Sequence, residues 1–245
     1  MKEYKKKIIK TTATLFSLIL LLGLLHAIVL PQQTNCHLIG FQNFKKDGNL
    51  YYRKGTPKDL VKQLKLGISQ AEKRIISFWG KKKSYPTFIY CNNSEDYKKF
   101  GSYYESPACA HMEISSYIVI NKNGVNLDII AHELNHTELY SRIGHFKKEL
   151  EIPAWFDEGL AMQVDLRKSY STDTLKQLSN NFVNLPAIKE MRTYTSFSSG
   201  TNKEVHLNYA TAKYEVKNWL KYNNLRNFIK NIEDGMSFNE AYDKK

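Results

Sequence analysis

The hydrophobic pattern opens with an unbroken apolar stretch. From Thr11 to Leu30 there is no Asp, Glu, Lys or Arg, and Leu, Ile, Phe, Ala and Val fill most positions. About 20 such residues carry a helix across a bilayer, so the stretch predicts one transmembrane helix. Lys2, Lys5, Lys6, Lys7 and Lys10 stand before it, and no charge follows until Lys45. By the positive-inside rule, residues 1–10 form a cytoplasmic tail, residues 11–30 a signal anchor, and everything from Pro31 onward lies outside. A cleaved signal peptide is the alternative. No small-x-small site stands near Leu30-Pro31-Gln32 and no lipobox precedes Cys36, which favours an anchor that is kept.

Beyond the anchor the periodicity changes. Residues 31–56 mix Gly40, Gly48 and Gly55 with polar and aromatic residues, and read as a juxtamembrane segment, irregular or with short strands. From Pro57 to Trp79, Leu60, Val61, Leu64, Ile68, Ala71, Ile75 and Ile76 recur at helical spacing, with Thr56 as N-cap and Gly80 beyond the end. Tyr85–Cys91 is a strand, Ser94–Phe100 a short helix, and Tyr103–Ala110 a loop. Ile114–Asn121 is the clearest strand, rich in β-branched and aromatic residues. Asn126 then caps a helix that Gly144 stops, with Asp128 in the first turn where the helix dipole favours it.

A helix starting at Pro153 is expected to run to about Leu166, followed by helical fragments at Thr172–Phe182 and Ala187–Met191. Thr193–Asn202 reads as a surface loop. Helices over Leu207–Tyr222 and Leu225–Glu233 and a last one from Ser237 complete the chain. The order of strands and helices predicts an α+β body over residues 57–245: a short β-sheet lobe, then a mainly helical lobe.

Charge alters this picture little. The net charge is +12, of which +4 precedes the anchor, and the rest is scattered in short runs such as Lys81-Lys82-Lys83. There is no long basic arm and no nucleic-acid-binding motif, so no nucleic-acid partner is expected. Cys36, Cys91 and Cys109 are too few and too scattered for a disulfide scaffold or a cysteine metal site. A Cys91–Cys109 disulfide and three free thiols both remain open.

The chemistry is concentrated in the helix after Asn126. His132-Glu133-Leu134-Asn135-His136 is an H-E-x-x-H pattern. Residues four apart share a helix face, so His132 and His136 can aim at one ion, while Glu133 at the edge of that face reaches a water beside it. A hydrolytic metal site needs a third ligand and an open position. No further histidine follows at the metzincin spacing, but Glu158 stands 22 positions after His136 on a separate predicted helix. Gly159 and Ala161 beside it are small enough to let helices approach closely.

His132-Glu133-Leu134-Asn135-His136 followed by Trp155-Phe156-Asp157-Glu158-Gly159-Leu160-Ala161 resembles the gluzincin metallopeptidases, in particular the compact peptidase-MA-like domains. The resemblance covers roughly residues 57–245, and it is specific at the two motifs and loose elsewhere. It implies a zincin-like fold, one zinc ion held by His132, His136 and Glu158, Glu133 as general base, and peptide-bond hydrolysis. It further implies that Tyr117, Ile118, Val119 and Ile120 form an edge strand that pairs with substrate backbone. Tyr209, or else His206, would donate to the oxyanion. Ala110-His111-Met112-Glu113-Ile114 faintly resembles the strand that anchors a substrate amino terminus in gluzincin aminopeptidases, but its Gly and Asn are missing, so Glu113 reads as an ordinary strand residue. Asn135-His136-Thr137 matches a glycosylation sequon, which we read as coincidental beside a ligand.

The resulting expectation is a membrane-anchored extracytoplasmic zinc peptidase acting on a peptide or protein and held in the lipid bilayer by Thr11–Leu30. The alternatives are a non-catalytic module of the same fold that binds a partner, and a protein that binds anionic surfaces through its positive charge.

Overall fold

The computed structural model describes residues 2–244. Helix α1 (Lys2–Val29) is continuous, and its Lys7–Val29 segment, with mean hydropathy 2.2, is long and apolar enough to cross a membrane. None of its apolar window is buried against the rest of the chain. A signal sequence would meet the same description.

Helix α2 (Pro31–His37) follows at once, with Pro31 at its start, where a missing N–H costs nothing. Strands β1 (Phe44–Asp47) and β2 (Leu50–Arg53) form a hairpin turned at Gly48, whose φ of 64° suits glycine. Helix α3 (Lys58–Trp79) buries Val61, Leu64, Ile68, Ala71, Ile75 and Trp79 and ends at Gly80 in the left-handed region. Pro57 precedes its first residue, and the Thr56 hydroxyl turns back to Arg53 O rather than capping the helix. Strand β3 (Thr87–Cys91), helix α4 (Ser94–Phe100), and strands β4 (Ala108–Met112) and β5 (Ser116–Asn121) lead to helix α5 (Leu127–Ile143). Asn126 caps α5 by accepting from the N–H groups of Asp128 and Ile129, and Gly144 ends it. Helices α6 (His145–Glu151), α7 (Ala154–Ala161), α8 (Thr172–Leu178), α9 (Tyr194–Ser198), α10 (Asn202–Trp219), α11 (Leu225–Glu233) and α12 (Phe238–Asp243) complete a mixed α/β body.

The five strands lie in the order β1-β2-β3-β5-β4. β2, β3 and β5 are parallel to one another, while β1 and β4 run antiparallel to their neighbours. Side chains alternate between two cores. Phe88, Tyr90, Ile118 and Ile120 face α3, α5 and the helical half, whereas Ile89, Cys91, Tyr117 and Val119 face Cys36, Ile39, Phe44, Tyr97 and Phe100. All three cysteines are free thiols.

This second core moves one boundary. Residues 31–56 do not merely approach the body: β2 pairs with β3, and Cys36 and Ile39 are buried beneath the sheet. The edge-strand expectation for Tyr117–Ile120 is also corrected. β5 is bonded on both sides, to β3 and to β4, so its backbone has no free row to offer. The edge beside α5 is β4, whose first residues lie in the stretch expected to be a loop. Its short, mixed sequence with Pro107 just ahead carries almost no strand pattern.

The helical half differs from expectation at its ends. α7 stops at Ala161 rather than near Leu166, although no Gly or Pro marks the stop. The chain there is drawn away by tertiary bonds: Gln163 Nε2 donates to Gly159 O and to Lys213 O, and Leu166 N donates to Asp128. Thr193–Asn202 contains α9, because Thr193 and Ser196 form a reciprocal cap, and a second such box, Thr201 with Glu204, starts α10 five residues before Leu207.

Gly159 permits close helix contact, as its size suggests, and the partner is α10. A Cβ there would lie 2.6 Å from both Ala212 O and Val216 Cγ2. Gly159→Ala is therefore expected to destabilise the body by about 1–3 kcal/mol, because α7 and α10 must part to admit the methyl. Denaturant unfolding checks this: a midpoint equal to wild type would mean that the helices separate at no cost.

Candidate metal centre

α5 and α7 cross with their polar faces together, and the three expected ligands meet there. Asn126 sets the start of α5, so His132 and His136 sit mid-helix, away from fraying ends. Pro153 (φ −69°) directly precedes α7, and Ala154 N is tied to Arg192 O at 2.8 Å, which sets the direction in which Glu158 emerges. His132 Nε2 lies 3.1 Å from His136 Nε2 and 3.1 Å from Glu158 Oε2, and His136 Nε2 lies 3.6 Å from the same oxygen. All three residues are buried.

A four-coordinate ion with bonds of about 2.0–2.1 Å holds its ligand atoms roughly 3.3–3.4 Å apart. The observed triangle brackets that spacing, so these donors could hold a metal ion with little rearrangement. Two ring nitrogens converge on one carboxylate oxygen. Burial opposes a charge on His136, yet Asp157 and Glu158 outweigh it and lift its pKa to about 9. His132 Nδ1 is buried with no hydrogen-bond partner, 3.9 Å from Asp165 Oδ2.

Behind the two histidines stands a layer of charges that the sequence did not reveal. His136 Nδ1 lies 2.9 Å from Asp157 Oδ1, and the other Asp157 oxygen meets Lys148 Nζ at 3.1 Å and accepts from the Tyr194 hydroxyl. Burial opposes ionisation of Asp157, but His136 and Lys148 hold its carboxyl well below the usual range. On the His132 side, Arg167 Nε donates to Asp165 at 2.9–3.0 Å and keeps that carboxyl ionised against its burial. A carboxylate behind a ligating histidine orients the ring and raises its basicity. The only sequence signal for Asp157 is an acid beside Glu158 in a short helix of otherwise uncharged residues. Asp165, Lys148 and Tyr194 carry none, since folding alone brings them near the histidines.

Glu133 is partly exposed beside His132, and burial pushes its carboxyl above the usual carboxylate range, with the two histidines pulling the other way. Its charge also acts on Cys109 of β4, whose thiol is raised to about 12, first by burial and then by Glu133. Strand β4 packs against α5, the helix that carries Glu133 and both histidines. Tyr209 lies beside His132: its ring centroid is 6.2 Å from that of His132, and Phe197 and Tyr170 hold it in place. Glu158 is the largest influence on its phenol and burial the next, and both keep it protonated, a hydrogen-bond donor. His206 is engaged elsewhere. It stacks on Tyr170 at 4.4 Å, and its Nε2 lies 2.7 Å from Ser169 O. Asn135 is wholly buried and accepts from Trp79 Nε1 at 2.8 Å, which leaves no room for a sugar. The Glu113 carboxylate faces His26 and His37 rather than this centre.

No protein-family model matches the chain, and no curated protein matches it.

Proposed function

We propose that the chain is a zinc-dependent peptidase of the gluzincin type, anchored by α1 with its body outside the cytoplasm. The observation that carries this reading is the buried triangle of His132, His136 and Glu158, with the partly exposed Glu133 next to His132 on the same helix. Two imidazoles and one carboxylate with tetrahedral spacing suit zinc, and three protein ligands leave a position for the reaction. Zinc bound there supplies a Lewis acid that polarises the scissile carbonyl and lowers the pKa of a water to about 7.

The chain's own groups carry the rest. Glu133 accepts the proton of the attacking water and delivers it to the leaving amine nitrogen, a role suited to a carboxyl whose burial makes it more basic. Tyr209, held protonated, donates to the oxygen on which charge develops. His206 is better read as the residue that positions Tyr170 behind Tyr209. Substrate backbone is expected along the free edge of β4, Ala108–Met112, because strand addition needs unpaired N–H and C=O groups and β5 has none free.

The test is cleavage of a peptide library by the full chain in detergent micelles, with and without chelator. Cleavage that stops on chelation and returns with zinc is expected. Tyr209→Phe should lower kcat by about 10²–10³-fold, the usual cost of removing one oxyanion donor. Cleavage indifferent to chelator would sink the proposal.

A further inference from the structure

A second group of metal-type donors lies apart from His132. His26 is in the last turn of α1, His37 ends α2, and Glu113 directly follows β4. His26 Nε2 is 3.0 Å from Glu113 Oε2, and His37 Nε2 is 3.9 Å from the same oxygen. The three donor atoms fall within 4.8 Å of one another.

The far nitrogen of each ring is already occupied. The Thr34 hydroxyl donates to Leu30 O at 3.1 Å, so its lone pairs face His26 Nδ1 at 2.7 Å and place that ring's proton on Nδ1. His37 Nδ1 lies 3.1 Å from the Tyr117 hydroxyl. A hydroxyl behind each imidazole turns both Nε2 atoms onto a single carboxylate oxygen. One imidazolium–carboxylate pair would need only one of these rings. Two rings oriented by outer hydrogen bonds around a shared carboxylate is how proteins set histidines for a metal ion. His37 and Glu113 lie beyond the apolar segment and are 29% and 18% exposed, which leaves an ion a path in and room for water to complete its shell.

We propose that His26, His37 and Glu113 form a second site, for a divalent ion of the zinc class, that clasps the end of the apolar helix to the globular body. Two nitrogens and one carboxylate oxygen select such an ion over calcium or magnesium, which prefer all-oxygen shells. The ion would join three chain segments and close the long loop between residues 26 and 113. Tyr140 braces the clasp by donating to Glu113 O from α5, one helical turn beyond His136. A bound ion would therefore fix the direction in which α5 and its histidines stand relative to the apolar helix. The assignment is independent of whether the central site cleaves peptides.

The test is metal stoichiometry of the full chain in detergent micelles, stripped with chelator, loaded with zinc or cobalt, and freed of excess ion. Two ions per chain are expected. His37→Ala and Glu113→Gln should each reduce the count to one. His132→Ala combined with His136→Ala should leave one ion, which is lost when Glu113→Gln is added. The ion lost on His37→Ala or Glu113→Gln reports the clasp alone, so failure at the central site does not hide it. If neither His37→Ala nor Glu113→Gln lowers the number of ions that the wild-type chain holds, the assignment is overturned. These comparisons decide the matter even if the variant lacking both central histidines does not fold.

Discussion

Glu133→Gln is expected to lower turnover of any cleavable peptide by about 10²–10⁴-fold while leaving the metal content unchanged. The amide keeps the size and hydrogen-bonding reach of the carboxylate but cannot take a proton from water. Glu133 is also outside the converging triangle of His132, His136 and Glu158, so its loss removes no ligand. The measurement is kcat on a fluorogenic peptide taken from the library hits, beside zinc content of the same preparation. Unchanged turnover would refute the role given to Glu133. Lost turnover with lost zinc would mean that the side chain builds the site instead of serving the reaction.

Asp157→Asn is expected to damage both stability and metal binding. Asp157 and Lys148 are buried together, and removing one partner of such a pair costs about 3–5 kcal/mol because the other charge is left without compensation. Glu149 also touches Lys148, but from the surface, where solvent weakens its hold. Asp157 also orients His136, and loss of a carboxylate behind a metal ligand weakens binding by about 10–100-fold. The two effects separate in a double variant. Lys148→Met added to Asp157→Asn removes the stranded charge and should recover much of the stability but none of the metal affinity. Denaturant unfolding of the metal-free protein and competitive zinc titration read the two quantities. If the double variant regains full affinity, His136 needs no carboxylate behind it.

The two motifs were legible because each depends on local geometry. His132 and His136 share a face by helical periodicity alone, and Asn126 and Gly144 mark the helix that presents them. Glu158 could be matched to them because a third ligand was required and Pro153 announced a new helix. Local rules failed where a distant partner decides. β4 has no strand pattern of its own and is drawn into the sheet by β5, and α7 ends where Gln163 and Asp128 capture the chain from other elements. The edge position expected for Tyr117–Ile120 rests on the family resemblance alone, and the sequence of a strand does not say how many neighbours it has.

By itself, the sequence determined the apolar helix, the main amphipathic helices, and the grouping of His132, His136 and Glu158, since these follow from residue spacing and chain stereochemistry. Only the tertiary structure decided strand order, the position of the free edge, and the Asp157–Lys148–Tyr194 and Asp165–Arg167 groups behind the histidines. It also brought His26, His37 and Glu113 together from three segments. The physical reason is range. Periodicity and capping act over one or two turns, whereas burial and ion pairing join residues without regard to their separation along the chain.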